Sequence, residues 1–297
     1  WELEIRPSLS DAKGHALFIG TPEGRNWAYR LYRRGLEQQP GWASWHYTTL
    51  QGGYVDEEEV EAARLDLDEI SFKQEYEGSF ENFAGRAYYS FGAEHQRRLE
   101  YNPRLPLIFC FDFNLAPGVA VVCQEQQHDG VSGTACIGEV WIPRDSNTER
   151  VCDRLRLDWS EHQNTIYLEG DATGGAGGSA KVDGSDWDIA RRTLRQTFPS
   201  LVDRVPRANP RERARVNALN TRIQPASGPG RLWVDPVKCP HLVTDLEGVT
   251  VLEGGSGELN KRRDPELTHI SDALGYYVAR QFPATGPNAR RMRISGI

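Results

Sequence analysis

Between residues 107 and 141 the sequence sets out three apolar runs, 107–113, 119–124 and 134–141, parted only by short turn signals at Pro117-Gly118 and Asp129-Gly130. Their β-branched and aromatic residues mark them as strands. Links this short join antiparallel neighbours, because a parallel crossover needs a dozen residues or more. The rhythm then changes to alternation: a helix pattern over 148–162, a strand over 165–168, a second helix over 186–198 and a strand over 201–205. Ser185, with Asp188 three residues on, has the pattern of a capping box opening that second helix.

Three antiparallel strands followed by strand–helix alternation predict an α/β protein with a mixed sheet flanked by helices, the arrangement of RNase H-like folds. A later helix over 267–280 places Ile270, Leu274, Tyr277 and Val278 on packing positions and is expected to lie across the sheet. Upstream, Ala16-Leu17-Phe18-Ile19 running into Gly20-Thr21-Pro22 reads as a strand and tight turn, followed by a helix through Trp27, Leu31 and Leu36. Residues 56–70 read as one acidic, solvated helix, with Val60, Leu65 and Leu67 too sparse for a broad apolar stripe. Tyr101-Asn102-Pro103 marks a boundary, so the expected organisation is a unit over 1–55, an acidic helix and linker over 56–104, the sheet domain over 105–283, and a basic tail over 284–297. The chain begins on Trp1 and reads as a fragment of something longer.

Composition narrows the function classes. No run approaches the roughly 18 consecutive apolar residues of a spanning helix, and the first residues show no signal peptide. Five cysteines, odd in number and without a Cys-x-x-Cys, suggest neither a disulfide framework nor a zinc site, and fit a reducing compartment. A formal net charge of −7 first argues against a nucleic-acid partner, which must displace counterions from phosphates. Its distribution reverses the argument. Residues 203–297 carry 15 basic and 10 acidic groups, whereas the stretch 56–69 holds eight acids and one Arg.

Three acids stand out. Asp112 closes Leu107-Ile108-Phe109-Cys110-Phe111, and by alternation shares a face with Ile108 and Cys110. A carboxylate there requires a cation, hydrogen bonds or solvent. Asp171 ends the strand through Leu168, where open α/β sheets place their ligands. Asp272 shares a helix face with His269 and Tyr276. Singly, each has a plain structural reading: a turn cap, a loop acid, and a partner of a helix dipole. Together, two strand-end acids and a helix acid can converge on hard cations, which prefer oxygen ligands. The glycine-rich stretch 173–181 lacks the Gly-Lys-Ser/Thr ending of a phosphate loop and reads as a loop over a site.

At these residues the chain resembles the large terminase subunit of tailed bacteriophages, a DNA-packaging motor in which an N-terminal ATPase precedes an RNase H-like nuclease. Leu17-Phe18-Ile19-Gly20-Thr21-Pro22-Glu23-Gly24 is similar to the ATPase coupling motif of that family. Phe111-Asp112-Phe113-Asn114 and Glu169-Gly170-Asp171-Ala172-Thr173-Gly174 are similar to its first two nuclease motifs, and the stretch from Asp264 through Thr268-His269-Ile270-Ser271-Asp272-Ala273-Leu274-Gly275-Tyr276 to the third. The segment from Asn209-Pro210 to Leu219 also fits. Neither a Gly-x-x-x-x-Gly-Lys-Ser/Thr nor a strand ending in Asp-Glu precedes Gly20, so no nucleotide-binding core is present in these residues and residues 1–55 would be the trailing edge of the ATPase domain.

The resemblance implies an endonuclease that cuts double-stranded viral DNA during genome packaging, with two divalent cations, Mg2+ or Mn2+, held by Asp112, Asp171 and Asp272, and little base specificity. A fourth acid, Glu169, Glu139 or Asp264, is open, and Asn114 and His269 are expected beside the ligands. Arg211, Arg213 and Arg215, together with Lys261, Arg262 and Arg263, are expected to follow the DNA backbone, as are Arg204, Arg207 and Arg222; a solvated face is the alternative for each. The implied partners are DNA, a small terminase subunit and a portal protein, in the cytoplasm of the host cell with no membrane, the isolated chain being monomeric. Two other readings stay open: a non-cutting DNA-binding and motor-docking module, and a resolvase-like nuclease for branched DNA.

Overall fold

A computed structural model of the protein describes residues 5–10, 13–22, 27–80, 85–114, 116–175, 184–252, 258–261 and 267–284. Five helices come first: α1 (Ile5–Ser10), α2 (Trp27–Leu36), α3 (Thr49–Gly52), α4 (Glu57–Asp66) and α5 (Glu69–Tyr76). After a two-residue strand β1 (Gly85–Arg86) come β2 (Leu107–Asp112), β3 (Gly118–His128), β4 (Val131–Ile142), α6 (Thr148–Asp158), β5 (Ile166–Gly170), α7 (Asp186–Leu194) and β6 (Leu201–Asp203). The chain continues through α8 (Glu212–Ile223), β7 (Leu232–Val234), α9 (Pro240–Gly248), β8 (Thr250–Val251) and α10 (His269–Gln281).

Six strands form the main sheet in the order β6-β5-β2-β3-β4-β7. The pairs β2–β3 and β3–β4 are antiparallel, whereas β5 runs parallel to β2 and β6 parallel to β5. Five of these strands reproduce the RNase H-like arrangement expected from the sequence, and β7 adds a sixth, parallel to β4. The expected Ser185–Asp188 capping box opens α7.

Strand β2 explains why the core has two layers. All six of its residues are buried, so its period of two sends side chains alternately to opposite faces. Leu107, Phe109 and Phe111 join the core under α6 and α7. Ile108 and Cys110 join the core beneath α8, α9 and α10, where Ile270, Leu274, Tyr277 and Val278 are buried as the helical spacing required. Asp112 continues the second series, which carries it to the α10 side at the carboxyl end of the sheet.

Two expectations upstream differ from the structure. Residues 16–19 form no strand: Leu17 and Ile19 are exposed, and no described strand lies alongside to complete a ladder. An apolar run supplies the propensity for a strand but not its partner. The acidic segment is two helices, because Asp68 accepts a bond from the Ser71 amide and caps α5 afresh. Val60, Ala63, Leu67, Phe72 and Tyr76 form a small core of their own, so this segment is not simply solvated. It is fastened to the sheet domain by the Asp68 amide donating to Thr221 Oγ1 and the Ala226 amide to the Leu67 carbonyl. No described helix is long and apolar enough to cross a membrane.

Candidate active site

Parallel pairing of β2 with β5 sets Phe111 opposite Gly170, so Asp112 and Asp171 follow at the ends of adjacent strands. Strands in that direction are about 4.8 Å apart. The Asp171 amide donates to the Phe111 carbonyl at 3.1 Å, which locks this register. Gly170 makes the approach feasible: its φ is +148°, and a Cβ there would stand 2.3 Å from the Phe111 carbonyl oxygen. Across from both strand ends lies the first turn of α10, carrying His269 and Asp272.

The three acids are all buried, at 8%, 9% and 4% exposure for Asp112, Asp171 and Asp272, a rare condition for carboxylates without partners. Each has a different partner set. Asp112 Oδ2 accepts from Asn114 Nδ2 and lies 3.3 Å from His269 Nδ1. Asp171 accepts from Asn209 Nδ2 at 2.5 Å and from the Thr173 amide and hydroxyl at 2.7 and 2.6 Å. Its carbonyl accepts from Trp187 Nε1 at 2.7 Å, and the Trp187 ring packs edge-on against Phe111 and Phe113. Asp272 is held by Arg215 Nη2 at 2.7 Å on Oδ1 and by Lys261 Nζ at 3.2 Å on Oδ2.

Electrostatics tie the groups together. Burial pushes the Asp112 carboxyl above its ordinary range, against the bonds from His269 and Asn114, and the negative charge of Asp272 pushes it further. Burial likewise raises the Tyr276 phenol; Arg215 opposes the rise, and Asp112, Asp171 and Asp272 all add to it. One phenol thus senses all three acids. Burial works against the Arg215 charge, but the pull of Asp272 beside it outweighs burial.

The donor chemistry fits divalent cations: three carboxylates, hard oxygen ligands, with uncompensated negative charge on the Asp112 side. The arrangement is nevertheless not that of a closed ligand set. Among the described residues no three His, Cys, Asp or Glu side chains stand ready to hold one ion together. Both oxygens of Asp272 already face cationic side chains.

The fourth-acid candidates separate. Glu169 shares the Asp171 face but is held by Arg280 Nη1 at 2.7 Å and Gln281 Nε2 at 2.8 Å near the far end of α10. Glu139 caps α9, accepting from the His241 and Leu242 amides, both at 3.0 Å. Asp264 lies outside the described residues, as do Arg262, Arg263 and residues 285–297 of the basic tail. Of the remaining arginines, Arg207 and Arg211 are exposed and Arg213 is half-buried. Arg204 lies 3.3 Å over the Tyr167 ring. Arg222 is buried and bonded to Glu125 at 2.5 Å, and is spent on the core. Arg215 and Lys261 meet Asp272 instead of lining an open groove.

Sequence reasoning passed over the Asn209 bond to Asp171 and the Arg215–Asp272 pair. Gly275 was the available signal: a glycine inside a helix marks a close approach, and a Cβ there would stand 2.7 Å from Arg215 Cγ. Asp245 was passed over too. From α9 its Oδ2 accepts from the Thr268 and Ser271 amides at 3.0 and 3.1 Å, capping α10 just where His269 and Asp272 begin. Thr268 itself has φ +87° and makes no side-chain cap.

No family model matches the chain. The terminase large subunit of Escherichia phage T5 is 34% identical over 102 residues, 34% of this chain and 23% of that protein. The large terminase of a thermophilic bacteriophage superposes with a TM-score of 0.57 at 14% identity, over 89% of this chain and 62% of that one. The nuclease domain of the P22 large terminase overlaps more loosely, with a TM-score of 0.43 at 13% identity, over 67% of this chain and 94% of that domain. The chain therefore spans under a quarter of its T5 relative and less than two-thirds of the thermophilic phage protein whose fold it shares. Over 102 residues the sequence is thus similar to the T5 terminase large subunit, and the fold is shared with the large terminase of the thermophilic phage.

Proposed function

We propose that the chain hydrolyses phosphodiester bonds of double-stranded DNA, as the nuclease part of a phage packaging motor acting in the host cytoplasm. The observation that carries this is the meeting of Asp112 and Asp171, at adjacent strand ends, with the first turn of α10 bearing Asp272. Residues 105–283 would constitute the nuclease domain. Asp112, Asp171 and Asp272 would hold Mg2+ or Mn2+, which when bound activates water and stabilises charge on the phosphate.

The rest of the task falls to the chain's own side chains. His269 and Asn114 orient Asp112; Asn209, Thr173 and Trp187 fix Asp171; Arg215 holds Asp272 in place. The exposed Arg207 and Arg211 offer charge to backbone phosphates and read no bases. A small terminase subunit and a portal would be partners of the intact motor.

Supercoiled plasmid incubated with the purified chain and Mn2+ should be nicked and linearised, and Asp112→Ala and Asp171→Ala should abolish cutting. No cutting by the wild type, or equal cutting by Asp112→Ala, refutes the reading. The pairing of Asp272 with Arg215 and Lys261 favours one alternative, a DNA-binding module that does not cut on its own. Salt-dependent DNA binding without nicking under either metal would establish it.

A further inference from the structure

Both carboxylate oxygens of Asp272 face cations, but those cations differ in freedom. Arg215 has 6% of its side chain exposed, its stem passes against Gly275, and its guanidinium lies 4.4 Å from the Tyr276 ring centre. Withdrawing it would leave two buried charges unpaired, so it is a fixed part of the site. Lys261 is 48% exposed on a flexible four-carbon stem. Its Nζ is also shared, lying 3.2 Å from Asp272 Oδ2 and 3.0 Å from Glu212 Oε2. Glu212 is anchored in turn, because its Oε1 accepts from the Leu259 amide at 2.9 Å. Lys261 therefore has a second carboxylate on which to rest if it leaves the first, and its own half-exposed side chain stays within reach of solvent.

We infer that Lys261 is a displaceable internal counter-ion, which keeps Asp272 closed to divalent cations until a DNA phosphate draws its ammonium away. The inference rests on the nuclease reading above for the role of Asp272. It gives the site an order of events: the phosphodiester arrives, Lys261 turns to it while still paired with Glu212, and Oδ2 of Asp272 becomes available. Because coupling between two ligands is reciprocal, DNA must then tighten cation binding and the cation must tighten DNA binding by the same factor.

Mn2+ binding to the full chain, read from the paramagnetic resonance signal of free Mn2+, tests this without relying on cleavage. Wild type, Lys261→Met, Lys261→Arg and Asp112→Ala are compared, each with and without a short phosphorothioate duplex, and each checked for an unchanged unfolding midpoint in the absence of metal. Removing one like charge a few ångströms from the cation should tighten Mn2+ binding by Lys261→Met roughly tenfold without DNA. Lys261→Arg, which keeps the charge, should follow the wild type. Addition of duplex should tighten Mn2+ binding by the wild type and bring it towards Lys261→Met, which gains less. Equal or weaker Mn2+ binding by Lys261→Met without DNA, or equal tightening of both proteins by DNA, overturns the counter-ion role. If Asp112→Ala also binds Mn2+ as the wild type does, the acid site itself fails, and the inference falls with it.

Discussion

Replacing Gly275 by Ala separates two effects of opposite sign. In an ordinary helix interior the change favours folding by about 1 kcal/mol, because glycine loses more backbone freedom than alanine. Here the new Cβ would meet Arg215 Cγ at 2.7 Å and Cδ at 3.0 Å, mid-stem atoms of a side chain that is itself buried. Overpacking of this kind costs about 1–3 kcal/mol. Breaking the buried bond to Asp272 outright would cost about 3–5 kcal/mol. Partial displacement of the guanidinium lies between these, so the net expectation is a loss of about 2 kcal/mol despite the helix gain. In an Arg215→Ala background the clash disappears, and Gly275→Ala should then be neutral or stabilising by up to about 1 kcal/mol. Urea unfolding followed by tryptophan fluorescence, on both backgrounds, gives the coupling directly as the difference of differences. A coupling of about 3 kcal/mol with unchanged m values supports the close-approach account. If Gly275→Ala costs the same in both backgrounds, Arg215 is not what the glycine accommodates.

Burial raises the Asp245 carboxyl to about 6. Because the native state binds that proton more tightly than the unfolded chain, the contribution is full below about pH 4 and is lost as pH rises through 6. The stability difference between wild type and Asp245→Asn should therefore fall by up to about 3 kcal/mol across that window and stay level above it; a difference independent of pH refutes this. Gly170→Ala places a Cβ against the Phe111 carbonyl at a positive φ, and should cost about 3 kcal/mol or more, or leave no folded protein on circular dichroism. Arg280→Met leaves the fully buried Glu169 with Gln281 and the more distant charge of Arg204, and should cost about 2 kcal/mol, recovered in part by adding Glu169→Gln. Lack of recovery in the double variant would show that packing by the Arg280 stem dominates.

The central sheet was legible because its strands carry their own instructions: short turns set antiparallel pairing for β2, β3 and β4, and apolar alternation set their faces. Asp112 was visible as an interruption of that pattern, and Asp272 as a polar stripe on an otherwise packing helix. What the sequence concealed depends on contacts between distant segments. Residues 16–19 have the composition of a strand, yet pairing needs a neighbour, which no residue type in the run can specify. Arg215 reads as a surface charge in a basic helix, but its burial follows from Gly275, 60 positions away. Asp245 drew no notice and Glu139 was a candidate fourth acid, whereas each caps a helix elsewhere in the chain. Capping within one helix, as at Ser185, is local and was legible; capping across elements is not.

The main sheet ends on both sides in three-residue strands, β6 and β7, while its two longest strands lie inside the order. Strand β7 is fully buried, and the Arg97 amide donates to its Val234 carbonyl, so little of its backbone is left to recruit a foreign strand. The half of β4 that runs past β7 has α9 pinned beside it through Glu139. Short or covered edges prevent identical sheets from joining side by side. Many copies of this domain can therefore be held close together without their sheets merging into aggregates.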